Sequence, residues 1–575
     1  MPAVTSCPGV YVQEIASGVR TITGVATSIT AFVGRAERGP VNMATTINGF
    51  GDFESTFGGL WLGSSLGAAV NAFFSNGGSQ AVIVRLYHAD PGNPQANPVV
   101  PAPLATAAIA VGGFSFLAAN EGSWGVDLRV SIDLDNISAD VAETMGVTTA
   151  DLFNLTVTDT GTGRSQHFLN LTAKDSPRRV DKVLAAQSTL LKYSGVPSAA
   201  TVIAAGSDTL STNERSLAAA RQALTDKQNA NASAQDIATA QANLQTAQTA
   251  LNNALTAAAA GVSDGLYLTV LDFLPPNGQT QKLGLYALEQ VDLFNLLCIP
   301  PYRSPADSID VDPNLVSAAS SYCEQRRALL LLDAPKDWTD KSTAKTKFTD
   351  AANDYVGTRS SNAALFFPRL QQPNPLRGNQ FETVSAIGAI AGVFARTDAT
   401  RGVWKAPAGL DSVLNDAPSL ALSLTDAENG ELNPLGVNCL RAFPVAGRVI
   451  WGARTLRGAD QLADEYKYIP VRRAALYIEQ SLYRGLQWAV FEPNSEPLWA
   501  QIRLNVGAFM HDLFRQGAFQ GSSPKDAYFV KCDKETTSQT DINLGIVNVV
   551  VGFAPLKPAE FVVIKLQQMA GQIDV

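Results

Sequence analysis

Leu329-Leu330-Leu331-Leu332-Asp333 is an unbroken apolar run closed by a carboxylate, and it reads as a central strand of an α/β layer. Downstream, Asn362-Ala363-Ala364-Leu365-Phe366-Phe367-Pro368 continues the pattern, and 382–396, rich in Ala, Gly and Ile, predicts a buried helix. Upstream, Asp292-Leu293-Phe294-Asn295-Leu296-Leu297 and Leu266-Tyr267-Leu268-Thr269-Val270-Leu271 read in the same style. That style occurs once more near the start of the chain. Ile29-Thr30-Ala31-Phe32-Val33-Gly34 is a buried-strand pattern, and a loop follows at Arg35-Ala36-Glu37-Arg38-Gly39-Pro40. A helix is expected around 63–76; after a glycine-rich turn, Gln80-Ala81-Val82-Ile83-Val84-Arg85-Leu86 reads as a strong strand. Residues 29–90 and 266–400 are therefore expected to form one discontinuous α/β middle domain.

The interruption, 91–265, reads as an inserted outer domain, because Pro91, Pro94, Pro98, Pro101 and Pro103 break the pattern abruptly. Within it, 211–260 is dominated by Ala, Gln, Asn and Thr and predicts a helical hairpin. Ser211-Thr212-Asn213-Glu214 has the form of a capping box, Leu217 and Leu224 lie a heptad apart, and Asn229-Ala230-Asn231-Ala232 supplies the turn. A second helix can start at Ser233, with Ile237, Leu244 and Leu251 again at heptad spacing. Small side chains permit close approach and high helix propensity compensates for a thin core. An outward decoration is expected; a partly helical low-complexity linker is the other reading.

The 575 residues, 60.8 kDa in mass, exceed what one core supports and imply three or four domains. Charged residues make up only 17% and hydrophobic ones 46%, as expected where much surface becomes subunit contact, and equally compatible with an ordinary neutral-surfaced protein. The net charge of -9 and pI near 5.1 argue against a general nucleic-acid binder, which needs a basic stripe to displace counterions. Cys7, Cys298, Cys323, Cys439 and Cys532 are scattered and odd in number, fitting reduced thiols rather than a disulfide framework or a zinc site. The N-terminus lacks a basic segment followed by an apolar core, and no run is long enough to span a bilayer, so no direct membrane insertion is expected. Synthesis in a cytosol, with any release requiring lysis or another non-Sec route, follows from both.

Both ends of the chain read as strands. Pro8-Gly9 launches Val10-Tyr11-Val12-Gln13-Glu14-Ile15, followed by a Ser/Gly/Thr-rich stretch without a helical period, so 1–28 is expected to be an extended arm. At the other end Val547, Val549, Val551 and Phe553 alternate with Ile546, Asn548 and Val550. A turn-like Ala554-Pro555-Leu556-Lys557-Pro558 leads into Phe561-Val562-Val563-Ile564-Lys565-Leu566. This predicts a β-hairpin ending in an edge strand, blunted only by Glu560 and Lys565, with 556–575 as a C-terminal β arm. Such segments can add to a neighbour's sheet through main-chain hydrogen bonds. Strand pattern alone favours pairing within one subunit.

Catalytic signatures are missing. With only His88, His167 and His511 available, no histidine stands beside a Gly-x-Ser-x-Gly nucleophile, and there is no phosphate loop, no His-Glu-x-x-His and no metal-spaced Cys/His set. No enzyme activity, cofactor or metal is expected. Asp333 and Asp337 are read as solvated carboxylates at the end of a strand.

Six words in order are similar to the signature of contractile-tail sheath proteins: Pro8-Gly9-Val10-Tyr11-Val12-Gln13-Glu14-Ile15, Trp404-Lys405-Ala406-Pro407-Ala408-Gly409, Trp451-Gly452-Ala453-Arg454-Thr455-Leu456, Tyr468-Ile469-Pro470-Val471-Arg472-Arg473, Phe491-Glu492-Pro493-Asn494 and Pro558-Ala559-Glu560-Phe561. The likeness covers about the first ninety residues and everything from about Leu266 onward, and leaves the insertion out. The wording Gly24-Val25-Ala26-Thr27-Ser28-Ile29-Thr30-Ala31-Phe32-Val33-Gly34 resembles sheaths of phage-derived extracellular injection systems more than those of large virulent phages.

The resemblance implies a mixed α/β, multidomain sheath protomer: a subtilisin-like-type middle domain, the family's C-terminal module at 401–555, the inserted outer domain and extended β arms. It also reverses the choice at the termini, making them arms exchanged between neighbouring subunits of a helical homopolymer of stacked rings. Implied partners are the chain itself, an inner tube protein, and baseplate and tail terminator or cap proteins, within a phage tail or tail-like particle assembled in the bacterial cytoplasm. In 496–517 the amphipathic pattern of Trp499, Ile502, Leu504, Phe509, Leu513 and Phe514 predicts a helix, and the resemblance makes Arg503, Asp512 and Arg515 tube-facing candidates. Arg454, Arg457, Arg472 and Arg473 could pair with carboxylates inside the module or on a neighbour. The rival reading is an α/β hydrolase-like or carbohydrate-binding protein whose insertion is a lid or recognition module.

Overall fold

The computed structural model describes residues 20–92, 105–350 and 352–565; the arm strand expected from Val10 to Ile15, and Leu566, lie outside them. At its centre is an eight-stranded sheet whose strands are, in chain order, β1 (Thr30–Gly34), β2 (Thr45–Ile47), β3 (Ala81–Arg85), β4 (Leu296–Cys298), β5 (Leu329–Asp333), β6 (Ala363–Phe367), β7 (Val437–Phe443) and β8 (Gly447–Ile450). Across the sheet they run β8-β7-β6-β5-β4-β1-β3-β2, with antiparallel pairing only at the two edges. A parallel sheet is covered on both faces, and the side chains show it. Leu330 and Leu332 enter one core with Val82, Val84, Ala363 and Leu365; Leu329 and Leu331 enter the other with Ile83, Phe32, Ala364 and Phe366. The run of leucines is apolar throughout because neither face of β5 meets water.

On one face the helices Leu66–Ser75 and Ile387–Arg401 lie backbone against backbone. A Cβ placed on Gly388 would come within 2.0 Å of the Ala69 carbonyl oxygen, and one on Gly392 within 2.4 Å of that of Phe73. Overpacking a core costs about 1–3 kcal/mol, and here the obstruction is main chain that cannot rotate away. Gly388→Ala is expected to lower stability by ~2–3 kcal/mol in urea denaturation; a variant matching the wild type would show that the two helices separate freely.

Several local readings differ from the observed elements. Leu266 to Leu271 forms no strand: Leu266 makes a single bridge to His88, and the Thr269 amide and hydroxyl both donate to Asp272 (2.7 and 2.9 Å), starting the short helix Val270–Phe273. In 292–297 only Leu296 and Leu297 belong to β4, since the Asn295 side chain instead bonds the backbone of Ala26 and Ile29. The helix expected at 382–396 starts later, at Ile387, because Gln380–Val384 pairs as a strand with Leu370–Asn374. The last two strands of the sheet, β7 and β8, come from the span expected to lie in the C-terminal module, so the sheet continues past residue 400.

The insertion builds its own core between two small antiparallel sheets, with Phe114, Phe116, Phe153 and Leu155 fully buried. The hairpin helices are Thr209–Asn229 and Ala234–Ala260. The first is capped by Asp208, whose carboxylate accepts from the Ser211 amide (2.9 Å), whereas Glu214 pairs with Arg129 (2.7 Å). Ser211 to Glu214 is therefore inside the helix, not a capping box. Ser233 caps the second helix, accepting from the Asp236 amide at 3.2 Å. Only Leu217, Ala240 and Leu251 of the hairpin are buried.

The insertion is tied to the middle domain by buried guanidinium groups. Arg85 donates to the carbonyls of Ala36, Gly39, Glu37 and Glu121, Arg35 to those of Gly63, Asp264 and Gly265, and Arg38 to the Asp159 carboxylate at 2.6 Å. Carbonyl-rich neck turns thus find donors that water would otherwise supply.

In the C-terminal part, helices Ile469–Gly485 and Glu496–Arg515 pack with a two-stranded sheet, Tyr528–Lys531 against Val550–Phe553. The alternation is as expected: Val547, Val549, Val551 and Phe553 pack on this core, while Ile546 and Val550 are exposed. The hairpin is not. Val550–Phe553 pairs with the distant Tyr528–Lys531, and Phe561 to Lys565 carries no strand. The Pro555 and Pro558 interruptions direct the chain away from a tight return. No helix among the described residues is long and apolar enough to cross a membrane.

Candidate functional site

Beyond Phe553 the chain stays beside its own module for a few residues: Ala554 donates to the Ala527 carbonyl (2.8 Å), and Pro555 bridges Phe519. It is next fixed at Glu560. There the Arg454 guanidinium, 0% exposed, grips the carboxylate with two hydrogen bonds, Nε to Oε1 at 2.8 Å and Nη2 to Oε2 at 2.6 Å. The remaining Arg454 nitrogen donates to the Gly458 carbonyl (3.1 Å) and Asp460 (3.0 Å), and the Tyr468 hydroxyl donates to Glu560 (3.1 Å). The Arg454 backbone is itself locked on both sides by the Asn438 amide group, at 2.7 Å each way. Burial by itself would raise the Glu560 pKa, but the Arg454 bonds and charge and the Tyr468 hydroxyl hold it below the ordinary glutamate value. The pair is ionised and fully bonded.

One residue later the chain is in solvent. Phe561, Val562, Val563 and Ile564 are 75%, 82%, 78% and 77% exposed, an apolar segment with no strand partner among the described residues. Four consecutive large apolar side chains in water are what a partner surface, not a free monomer, requires.

The N-terminal segment is rooted in the same module. The Arg20 amide donates to Asn505 (3.1 Å) and its guanidinium lies 4.7 Å from the Trp488 ring centre; Ile22 is buried beside Trp499 and Ile502. Val25 donates to Ser481 (3.2 Å), and the Thr27 carbonyl accepts from Arg473 (2.8 Å). Arg473 in turn forms a two-bond pair with Asp398 at 2.8 and 2.6 Å, both side chains almost wholly buried.

All four arginines singled out in the sequence are engaged within the protomer: Arg454 and Arg473 as above, Arg457 with Asp464 (2.9 Å), and Arg472 with Asn362 (2.9 Å) and Glu479 (3.3 Å). The helix Glu496–Arg515 separates the other candidates. Asp512 and Arg515 are exposed on it, whereas Arg503 is half-buried, held by Glu496 (2.6 Å) and the Cys532 carbonyl. Asp333 is no solvated carboxylate: it receives the Ser385 hydroxyl and the Ala386 amide at the start of Ile387–Arg401, and burial raises its pKa. Among the histidines, His88 faces Asp272 at 2.9 Å, His167 meets Thr156 at 3.0 Å and His511 meets the Tyr528 hydroxyl at 3.3 Å. Cys298, Cys323, Cys439 and Cys532 are buried free thiols, and burial raises the pKa of each.

Sequence reading missed the role of Glu560, taken only as a charge that blunts an edge strand, and missed Asp398, Asp460, Asn438 and Asn505 altogether. The available signal was a lone carboxylate at the mouth of an apolar run.

Comparison with known proteins finds similar chains. Residues 278–456 match the family model of the phage tail sheath protein central domain, and 463–568 that of the phage tail sheath C-terminal domain. A tail sheath protein of Vibrio phage KVP40 is 28% identical over 131 residues, 23% of this chain and only 19% of that protein's own length. A prophage major tail sheath protein of Pseudomonas aeruginosa is 24% identical over 286 residues, 49% of this chain and 67% of the relative. The fold resembles the helical sheath of the anti-feeding prophage in its contracted state (TM-score 0.52, 21% identity, 98% of this chain and 100% of that one). It also resembles the contracted PVC sheath complex of an extracellular contractile injection system (TM-score 0.52, 18% identity, 98% of each chain) and a sheath tail protein of Listeria innocua (TM-score 0.53, 11% identity, 93% and 96%).

Proposed function

We propose, on the premise that this chain belongs to the contractile-tail sheath family, that it polymerises around an inner tube and drives that tube through a target envelope by contracting from an extended, metastable state. The observation that carries this reading is the abrupt passage from a half-buried Glu560, tied to the buried Arg454, to four exposed apolar residues. The arm 561–566 adds to the sheet of a neighbouring copy, where Tyr528–Lys531 and Val550–Phe553 pair only with each other among the described residues and each offers an open edge. The N-terminal arm, containing Val10 to Ile15, engages a second neighbour in the same way. A net backbone hydrogen bond contributes roughly 0.5–1.5 kcal/mol, so about five pairs hold each joint by several kcal/mol before side-chain burial.

Such head-to-tail contacts do not close on themselves, as a filament requires. Two packings of one subunit that differ modestly in free energy switch cooperatively, and the difference sums along the sheath without nucleotide hydrolysis. Asp512 and Arg515 point this reading toward the tube; the insertion, with its hairpin, occupies the periphery. Baseplate and terminator proteins cap the polymer, in a phage tail or tail-like injection particle assembled in the bacterial cytoplasm.

Electron microscopy of the purified chain, alone and with its tube protein, tests this directly. Striated hollow filaments are expected. Discrete monomers stabilised by a small ligand or glycan would overturn the reading in favour of a hydrolase-like or carbohydrate-binding protein.

A further inference from the structure

We propose that the Arg454–Glu560 pair is the positioning anchor of the C-terminal arm: it fixes the residue at which the arm leaves the subunit, and so the register in which the arm enters its neighbour. The inference rests on the arm-exchange reading above and adds to it where and how the arm is held.

Geometry carries the argument. Upstream of Glu560 the next strand-type tie is the Pro555 bridge to Phe519. Loss of the Glu560 bond therefore adds about five residues of slack, or ~16 Å at about 3.3 Å per residue. Side chains alternate along a strand, so a slip of one residue moves Phe561, Val563 and Lys565 to the face occupied by Val562 and Ile564. A strand of near-uniform apolar character has little else to specify its register. The guanidinium fork does specify it, since two parallel bonds to one carboxylate define an orientation as well as a distance.

A buried ion pair is also a poor choice for stability alone, because well-packed apolar residues serve as well or better. A second buried arginine meets the N-terminal segment: Arg473 grips Asp398 with two bonds and holds the Thr27 carbonyl with the Nη2 atom of that grip. Both chain ends thus touch a buried arginine of one short segment, 454–473, flanking the start of helix Ile469–Gly485, the N-terminal one being held further out by Asn505 and the core around Ile22 as well.

The test uses full-length chains. In a Cys7→Ser background, spin labels at Leu462→Cys and Ala559→Cys report one narrow distance in unassembled subunits. Glu560→Gln is expected to at least double the width of that distribution at a temperature where circular dichroism shows the domains still folded. The same variant is expected to reduce continuous sheaths seen by electron microscopy at least tenfold. Should Glu560→Gln fail to fold, Tyr468→Phe, which removes one hydroxyl donor to Glu560, is expected to broaden the distribution to a lesser degree. Deleting 561–575 separates the two ideas. If that deletion abolishes sheaths but Glu560→Gln keeps the narrow distance and assembles and contracts like the wild type, the anchor is wrong and arm exchange stands. If the deletion itself leaves sheaths intact, arm exchange falls, and the anchor with it.

Discussion

A chain ending at Glu560 is expected to fold and melt like the full-length protein and to form no connected sheath. The first half follows from exposure: Phe561 to Ile564 make no strand and remain in solvent, so removing them takes almost no buried surface from the subunit. Surface substitutions of this kind change stability by less than about 0.5 kcal/mol. The second half follows from connectivity. If each joint is held by about five main-chain pairs, deletion removes several kcal/mol at every contact along the polymer, and the losses multiply with length. Thermal melting of the subunit and electron microscopy of the assembled material read the two halves separately. Truncated chains that still assemble and contract would end the arm-exchange mechanism.

The largest loss of subunit stability is expected from Arg473→Ala. Asp398 and Arg473 are each only 3% exposed at the side chain, and removing one partner leaves a charge buried without compensation. Breaking a buried pair in this way costs about 3–5 kcal/mol. For a domain of 150–250 residues, each kcal/mol lowers the melting temperature by roughly 2–4 °C, so a fall on the order of 10 °C is expected. Thr27 loses its donor at the same time, loosening the segment that carries the N-terminal arm out of the module. Arg457→Ala is the contrast, because its pair with Asp464 is half exposed and worth about 0–1 kcal/mol. The double variant Asp398→Ala with Arg473→Ala should recover part of the loss, since no charge is then stranded. Denaturant titration of the four proteins decides the matter; an Arg473→Ala midpoint equal to that of Arg457→Ala would refute it.

Strands buried on both faces were legible because a continuous apolar run of four or five residues leaves few alternatives: β1, β3, β5 and β6 all lie where their sequences place them. The alternation Val547, Val549, Val551, Phe553 was legible for a related reason, one face being packed and the other wet. Leu266 to Leu271 misled because apolar content cannot distinguish a strand from an irregular segment once a side chain such as Asp272 bonds the local backbone. Ser211 to Glu214 misled because the insertion supplied a better cap, Asp208, and a distant partner, Arg129.

By itself the amino-acid order determined the α/β character, the existence of an insertion with its helical hairpin, and the apolar nature of both ends. These depend on periodicity and composition within a dozen residues, where the side chain and the backbone it shapes are neighbours. Only the tertiary structure decided that β7 and β8 complete the large sheet, that Val550–Phe553 pairs with Tyr528–Lys531, and that Arg454 closes on Glu560 from 106 residues away. Partners so distant in the chain are chosen by the packing of whole elements, and a charged residue bears no local mark of which opposite charge the fold will bring to it.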